Sequence, residues 1–302
     1  MSEVNGTMIK HLVDSYLKSR DFDRLTASQD QYRYWLRVLL ETEYEGETVG
    51  QLKYKKLTAP EAQVIYDTIS DRGITFANRI NAVARKVYNF GMKYGYVEKN
   101  PWSMIQTLTP APRKVMWQPD DVKTFLEVAY SHFKTRGIGL IVHMAYEWCQ
   151  RLGDMRLLQW DNIDMDDRKL YLEQSKRRAE VCLPIEDDLH EMLTQQQEDF
   201  GFQAFVAPRV IPVGGEYHPY SLERFSKAGR AVMRAANLPE ELRLMDLRRT
   251  GTTQMVEAGV PMGQIMSVTG HSNPQSVKPY MKNTYASANS ALTARKSHGK
   301  ST

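Results

Sequence analysis

The sequence has few cysteines and no long apolar run. Its only cysteines are Cys149 and Cys182 in 302 residues, which excludes a disulfide framework or a cysteine-rich zinc site and predicts two small buried hydrophobes. No stretch approaches the ~18 apolar residues of a membrane-spanning helix. The N-terminus lacks the basic and apolar segments of a signal peptide, so we expect a cytoplasmic protein with no membrane partner.

Motifs for the common cofactors are also missing. Neither GxxxxGK[ST] nor GxGxxG occurs in the sequence, so nothing indicates a bound nucleotide. The pair His190-Glu191 lacks the second histidine of an HExxH zinc motif, and the seven histidines are scattered. We therefore expect neither a metal nor a cofactor.

The positive charge of the chain is small but unevenly placed. The net charge is +4, which is too weak to indicate a nucleic-acid partner by itself. From Arg224 onward the chain carries twelve Lys or Arg and four Asp or Glu, which leaves 28 against 32 for the preceding residues. This asymmetry favours a polyanionic partner, although solvated basic tails are common.

Helical spacing dominates the first hundred residues, with no long alternating segment between the helices. The clearest helix start is Thr58, with Pro60 and Glu61 in the first turn. Asn100-Pro101-Trp102 closes this unit, and the prolines that follow indicate an extended linker. The sequence thus predicts an all-helical domain over 1–108 and a linker over 109–116.

The second predicted domain, 117–302, mixes helices with a small sheet. A helix starts at Pro119 and is expected to continue to Phe133, and another precedes Cys149. The period then changes to that of three short antiparallel strands at 162–164, 169–173 and 180–184. Helices resume around 189–193, 222–236, 247–258 and 262–268. The predicted fold class is mainly α with a small antiparallel sheet, and this domain is α+β.

One set of polar residues in the second domain suits phosphoryl transfer. Guanidinium forks bind phosphate oxygens in pairs, a phenol is a nucleophile, and an ammonium can protonate a leaving alkoxide. The set comprises Arg151, Lys176, Arg248, His271 and Tyr280.

These residues follow one another as in the tyrosine recombinase (phage-type integrase) family, which the chain resembles over most of its length. The most specific part is Asp246-Leu247-Arg248-Arg249-Thr250 followed by Gly270-His271 and, nine residues later, Tyr280. Further matches are Ala77-Asn78-Arg79, Asn100-Pro101-Trp102, Leu157–Asp164 and Gln174-Ser175-Lys176. The resemblance implies a SAM-like helical core-binding domain before a catalytic domain.

The resemblance also implies a role for each site residue. Arg151, Arg248 and His271 would hold the scissile phosphate and stabilise its transition state. Tyr280 would attack to form a 3′-phosphotyrosyl link, and Lys176 would protonate the leaving 5′-oxygen. No cofactor is implied.

Several positions have competing interpretations. Asp154 suits a residue that orients an arginine better than a catalyst. Arg177 and Arg178 compete with Lys176, and Tyr285 competes with Tyr280. Spacing from His271 favours Tyr280, and arginine scarcely releases a proton, which favours Lys176.

Two departures from the family pattern stand out. The family usually has His three residues before the second arginine, at the general-base position that Met245 occupies here, and a thioether cannot exchange protons. Loss of a general base typically costs ~10²–10⁴-fold in rate. Arg151 follows Cys149-Gln150 rather than the usual Thr-Gly.

The implied partner is double-stranded DNA at core attachment sites. The first domain would contribute Arg79, Arg85, Lys86 and Lys93, and active assemblies would be homo-tetramers in the bacterial host cytoplasm or nucleoid. We expect core-site recognition only, because no room is left for an arm-binding domain, and an excisionase or a DNA-bending host protein remains an open partner. The alternatives to an integrase are a catalytically weakened DNA-binding relative, a transposon recombinase or a dimer resolvase.

Overall fold

The computed structural model describes residues 6–26, 28–111, 113–176, 178–280 and 285–298. The chain divides into two units, Met1–Arg113 and Lys114–Thr302, each with its own hydrophobic core. This division falls inside the segment 109–116 that the sequence predicts as a linker. No helix in the described ranges is long and apolar enough to cross a membrane.

The first unit consists mainly of helices that pack around a core rich in aromatic side chains. Its elements are α1 (Ile9–Leu17), α2 (Arg20–Asp23), α3 (Gln29–Glu41), the hairpin β1 (Glu43–Tyr44) and β2 (Glu47–Thr48), α4 (Ala59–Ser70) and α5 (Ile74–Lys93). The Thr58 amide donates to Glu61 Oε2 at 2.7 Å, which closes the predicted cap of α4. The two-residue hairpin is an addition to the predicted all-helical unit, since strands this short leave no alternating pattern to read.

The predicted end of the first unit is a folded turn around Trp102. The side chain of Asn100 accepts from the Trp102 amide at 3.1 Å and donates to the Arg85 carbonyl at 2.9 Å. Trp102 belongs to the 3-10 turn Pro101–Met104, and its side chain is buried. Asn100 thus ties the chain leaving the unit to helix α5.

The second unit surrounds helix α7 with further helices and one sheet. Its elements are α6 (Pro119–Tyr130), α7 (Phe133–Glu147), α8 (Leu152–Arg156), β3 (Ile163–Asp164), β4 (Lys169–Glu173), β5 (Glu180–Pro184), α9 (Asp187–Phe200), α10 (Leu222–Ala235), α11 (Leu247–Glu257), α12 (Met262–Thr269) and α13 (Tyr285–His298). This confirms a mainly α fold with a small antiparallel sheet. Phe133 begins α7 instead of ending α6, because the apolar spacing runs unbroken across the short turn between them.

The three-stranded sheet has the order β3-β4-β5 and is antiparallel throughout. Leu170 and Leu183 face each other across β4 and β5 on the buried side. Tyr171 pairs with Cys182 on the opposite, exposed side. The prediction that both cysteines are buried is therefore wrong for Cys182, because strand alternation turns it outward.

Two tryptophans fix the elements that carry the site. The indole Nε1 of Trp148, at the end of α7, donates to the Pro184 carbonyl of β5 at 2.9 Å. Trp117 donates its amide to Thr250 Oγ1 at 3.1 Å and its indole to the Arg243 carbonyl at 2.9 Å. Trp148 thus joins α7 to the sheet, and Trp117 joins the segment that leads into α6 to α11 and to the turn before it.

Candidate active site

Arg151 lies at a sharp turn between α7 and α8. Cys149 has a left-handed backbone with φ of 50°, a conformation that is uncommon for residues other than glycine. Gln150 follows and is fully buried. Arg151 then occupies the residue before α8, with φ −72° and ψ 135°. Over these three residues the backbone thus passes from the buried end of α7 to the candidate site.

The Arg151 guanidinium is held by one amide and one carboxylate. Its Nη1 donates to Gln174 Oε1 at 2.8 Å and lies 3.6 Å from Asp154 Oδ2. The Asp154 side chain is 2% exposed, and its other oxygen accepts from the Ser175 hydroxyl and amide. Asp154 therefore joins α8 to the β4–β5 turn beside Arg151.

Arg248 is the second residue of α11 and approaches the same buried amides. Its Nη2 donates to the Thr269 carbonyl at 2.6 Å, and its Nη1 lies 3.5 Å from Gln150 Oε1. A Cβ atom on Gly251 would lie 2.4 Å from Cys149 Sγ. The absence of that atom in glycine lets α11 pack against the end of α7, which brings the two arginines together.

The electrostatics of Arg248 reflect this crowding. Burial, and then the neighbouring charge of Arg151, lowers the pKa of Arg248 to about 10. Tyr280, Cys149 and Asp154 act in the opposite direction. Arg248 is still charged at neutral pH, and its phenol neighbour Tyr280 lies within its electrostatic range. A desolvated cation of this kind interacts strongly with an incoming phosphate.

His271 follows a left-handed glycine that ends helix α12. Gly270 has φ 65°, and a Cβ there would lie 2.5 Å from Gln174 Nε2, so a larger residue would meet both backbone strain and a steric clash. Thr269 Oγ1 lies 2.7 Å from His271 Nδ1 and 2.7 Å from the Ile265 carbonyl oxygen. The terminus of α12 thereby fixes the imidazole.

These two contacts of Thr269 assign the histidine tautomer. Two oxygens 2.7 Å apart need a proton between them, and the single Thr269 hydroxyl proton satisfies the contact with the Ile265 carbonyl. The contact with His271 then requires the proton of Nδ1. The neutral ring therefore carries its hydrogen on Nδ1 and a lone pair on Nε2.

Tyr280 ends a short 3-10 turn, Lys278–Tyr280, that is anchored by a buried residue. Its amide donates to the Val277 carbonyl at 2.9 Å, and Val277 is fully buried. The phenol ring lies 6.2 Å from the His271 ring, centroid to centroid, with 43° between their planes. The structure therefore brings Arg151, Arg248, His271 and Tyr280 into one cluster.

Lys176 lies on the β4–β5 turn, two residues after Gln174, and none of the contacts described for this cluster involves it. Its side chain is exposed, and its ammonium makes no hydrogen bond or ion pair with the other described residues. Of its two rivals, Arg178 pairs with Glu173 Oε1 at 2.9 Å, and Arg177 lies outside the described residues. Lys176 is thus the cation on this turn that has no partner among those residues.

Met245 occupies the general-base position predicted from the family pattern. It lies in the 3-10 turn Leu244–Asp246 ahead of Arg248, and it is 76% exposed. Its thioether neither binds nor releases a proton in the neutral range.

The four predicted DNA contacts of the first unit do not share one face. Arg79, Lys86 and Lys93 follow one another at seven-residue spacing along α5, whereas Arg85 lies about 100° around the helix from this stripe. The Lys86 ammonium lies 4.9 Å above the ring of Tyr32 on α3. Lys93 binds the carboxylate of Asp21 at 2.8 and 2.9 Å. Arg79 and Lys86 are thus the exposed cations of this stripe without a carboxylate partner in the ion pairs described.

Sequence reasoning assigned no role to three buried polar residues of the cluster. Gln150, Gln174 and Thr269 contact the predicted groups, yet none titrates near neutral pH, and Gln174 entered the family match only as a neighbour of Lys176. A buried position next to a charged one was their only signal. Among the described residues there is no group of three or more His, Cys, Asp or Glu that could hold a metal ion.

Comparisons with known proteins identify the family and the fold of this chain. The sequence pattern of the phage integrase family matches residues 116–287. The integrase of Salmonella phage P22 is 24% identical over 184 residues, which cover 59% of this chain and 46% of that integrase. Less than half of that relative is therefore represented in the match.

Solved structures with the same fold include two integrases. A lambda integrase dimer bound to a COC′ core site superposes with a TM-score of 0.74 at 17% identity, covering 92% of this chain and 78% of that one. A lambda integrase tetramer bound to a Holliday junction gives the same values. The Tn1549 transposon integrase in complex with a circular intermediate DNA also has a TM-score of 0.74, at 13% identity, covering 96% and 100%.

Proposed function

Because the chain belongs to the phage integrase family of tyrosine recombinases, we propose that it cleaves and rejoins duplex DNA at specific sites through a 3′-phosphotyrosyl intermediate. The observation that carries the proposal is the cluster of Arg151, Arg248, His271 and Tyr280. Two guanidinium groups, an imidazole and a phenol in one place provide phosphate binding and a nucleophile together.

Arg151 and Arg248 bind the scissile phosphate and stabilise its transition state. Each guanidinium has five N–H donors, and the contacts described occupy one donor of Arg151 and two of Arg248. The remaining donors are available to non-bridging phosphate oxygens. Charge develops on those oxygens as the fifth bond to phosphorus forms, so fixed donors bind the transition state more tightly than the ground state.

The strand-cleavage step moves one proton at each end. The Tyr280 oxygen bonds to phosphorus and gives up its proton, while the bond from phosphorus to the 5′-oxygen breaks. Lys176, whose long side chain extends from the β4–β5 turn, donates a proton to that leaving oxygen. The 5′-hydroxyl of a partner strand then attacks the phosphotyrosine and restores the phenol, so the phosphoester bond is conserved without an added energy source.

Met245 makes proton removal from Tyr280 the weak step of this reaction. With no titratable group at position 245, the phenol proton passes to water or to the Nε2 lone pair of His271. We therefore expect this chain to cleave DNA about 10²-fold or more slowly than an enzyme of the same mechanism with a general base at this position. The chemistry is retained, so a purely DNA-holding relative is the less favoured alternative.

The substrate is double-stranded DNA, held in part by the first unit. Arg79 and Lys86 contact phosphates, because they are exposed, aligned on α5 and free of the carboxylate that neutralises Lys93. The solved lambda assembly is a tetramer on a Holliday junction, and we propose a homo-tetramer on paired core sites here. An excisionase or a DNA-bending host protein belongs to the same proposal, as does action in the cytoplasm or nucleoid of a bacterial host.

A nicked suicide substrate tests the proposed function. A nick placed just 3′ of the cleaved bond lets the short 5′-hydroxyl fragment diffuse away, so the covalent complex accumulates. We expect a detergent-resistant protein–DNA adduct that is absent in Tyr280→Phe and present in Tyr285→Phe. Absence of any adduct on a DNA that the protein binds specifically, or persistence of the adduct in Tyr280→Phe, would overturn the proposal.

A further inference from the structure

Two buried glutamines meet beneath the candidate active site. Gln150 and Gln174 are both fully buried. Gln174 Nε2 donates to Gln150 Oε1 at 2.6 Å. They come from different elements, the turn after α7 and the residue after β4, so their contact joins two walls of the site.

Each amide has its orientation fixed by its neighbours. Gln150 Nε2 donates to the carbonyls of Trp148 and Val268 at 2.8 and 2.7 Å. Gln174 Nε2 donates its second hydrogen to the Thr269 carbonyl at 2.9 Å. Both hydrogens of both amide groups are therefore used, and the two oxygens must face the opposite way.

Those oxygens face the two arginines. Gln174 Oε1 accepts from Arg151 at 2.8 Å, and Gln150 Oε1 lies 3.5 Å from Arg248 Nη1. Arg248 Nη2 also donates to the Thr269 carbonyl that Gln174 contacts. The spacing between the two guanidinium groups is thus set by a short chain of neutral acceptors.

Because these acceptor oxygens belong to neutral groups, they do not cancel the charge of the two arginines. A carboxylate in place of either amide would form a buried ion pair and offset the positive charge that binds phosphate. An amide oxygen holds a guanidinium in place and leaves its charge available. The close approach also depends on Gly270, since a Cβ there would lie 2.5 Å from Gln174 Nε2.

We propose that Gln150 and Gln174 are positioning residues that hold Arg151 and Arg248 at the spacing of one phosphate while leaving both charges uncompensated. The inference rests on the proposed function, because it concerns how the same arginines are held. It adds two residues that touch neither the DNA nor the reacting atoms.

The substitution Gln174→Glu tests whether the group between Gln150 and Arg151 must be neutral, because Glu and Gln have almost the same shape. An ionised Glu would place a carboxylate oxygen against the Gln150 oxygen and the Thr269 carbonyl, where an N–H donor now lies. A protonated Glu would restore one donor. We therefore expect the single-turnover rate of adduct formation to fall about 100-fold at pH 8, and the loss relative to wild type to shrink at pH 6.

Gln196 provides a matched control in the same unit. It is equally buried, its Oε1 accepts from Arg136 Nε at 2.9 Å, and its Nε2 donates to the Val206 carbonyl at 3.0 Å. Gln196→Glu therefore makes the same chemical change beside an arginine and a carbonyl outside the site. We expect the adduct rate of this variant to stay within about threefold of wild type at both pH values, well short of the loss expected for a misplaced catalytic group.

Thermal unfolding and DNA affinity are measured on every variant alongside the rate. If Gln174→Glu does not fold, Gln174→Met fills the same volume without a polar atom, and its rate should fall at pH 6 and pH 8 alike. Equal rate losses in the variants at positions 174 and 196, or no loss at 174, would overturn the positioning role. Failure of wild type to form a Tyr280-dependent adduct would instead overturn the proposed function.

Discussion

Thr269 holds the imidazole of His271 in one tautomer. The distance from Thr269 Oγ1 to His271 Nδ1 is 2.7 Å, and the threonine hydroxyl is committed to the Ile265 carbonyl at 2.7 Å. The ring therefore presents Nε2 as an acceptor when neutral and as a donor when protonated. That choice decides whether His271 can accept a proton or only stabilise phosphate charge.

Removing the threonine hydroxyl should release this tautomer. Thr269→Val removes the hydroxyl that accepts the Nδ1 proton, and we expect the neutral ring to shift toward the Nε2-protonated form, with adduct formation slowed about tenfold. Nitrogen-15 NMR of the histidine ring measures the tautomer directly. Thr269→Ser keeps the hydroxyl and should behave as wild type. A wild-type ring protonated on Nε2 would contradict the assignment.

Restoring a titratable group at position 245 should accelerate cleavage. Met245 is 76% exposed, so Met245→His is accommodated without repacking. If proton removal from Tyr280 limits the rate, we expect a gain of about tenfold or more, appearing as the pH rises through the histidine pKa of about 6.5. Met245→Gln has similar size and no titration, and it should leave the rate unchanged. Equal rates in the two variants would mean that proton removal is not limiting.

The fold was largely predictable because its signals are local. The cap at Thr58 and Glu61, the change of period at the sheet and the glycine at position 270 each follow from a few neighbouring residues. The exceptions are equally physical. Helix α8 has five residues, too few for a period, and Phe133 keeps the apolar spacing of α6 although the backbone turns before it.

The site was predictable only where its residues carry charge or nucleophilic chemistry. Arg151, Arg248, His271 and Tyr280 have a functional group that suits phosphate and an order that matches a family. Gln150 and Gln174 carry neither charge nor a nucleophile. Gln174 lies in the matched segment Gln174-Ser175-Lys176, but its hydrogen bond to Gln150 joins residues 24 positions apart. Their partners become visible only when α7, the sheet and α12 are placed together.

We expect the buried charge of Arg248 to lower the stability of the folded protein. Its pKa is lowered to about 10, chiefly by burial, so the charged form is less favourable in the folded than in the unfolded chain, and this penalty is fully present at pH 7. We expect Arg248→Met to raise the free energy of unfolding at pH 7 by about 1 kcal/mol, after allowing for the hydrogen bonds it loses.

Urea unfolding at two pH values checks this stability difference. Raising the pH through about 10 removes the charge from folded Arg248, which relieves the penalty in wild type and leaves the variant unchanged. The advantage of Arg248→Met should therefore be largest at pH 7 and shrink above pH 10. A variant less stable than wild type at pH 7 would show that the hydrogen bonds of Arg248 outweigh its desolvation. Adduct formation should be lost in either case.

The basic stripe of α5 should contribute to DNA affinity through two of its members. Arg79→Ala and Lys86→Ala should each weaken binding and reduce the slope of log affinity against log salt by about one. Lys93→Ala is the control, because its charge is already paired with Asp21, and Arg85→Ala tests the other side of the helix. Fluorescence anisotropy over a salt series gives the slopes. Equal slopes for all four variants would argue against a defined DNA face.

The covalent attachment point tests the account most directly. Adduct formed on a nicked duplex is digested with nuclease and protease, and mass spectrometry identifies the tyrosine that retains a nucleotide. We predict that the nucleotide is attached through its 3′-phosphate to Tyr280, which the structure places beside His271 and within the electrostatic reach of Arg248. Attachment to Tyr285 or to any other residue would contradict the assembled site on which the mechanism depends.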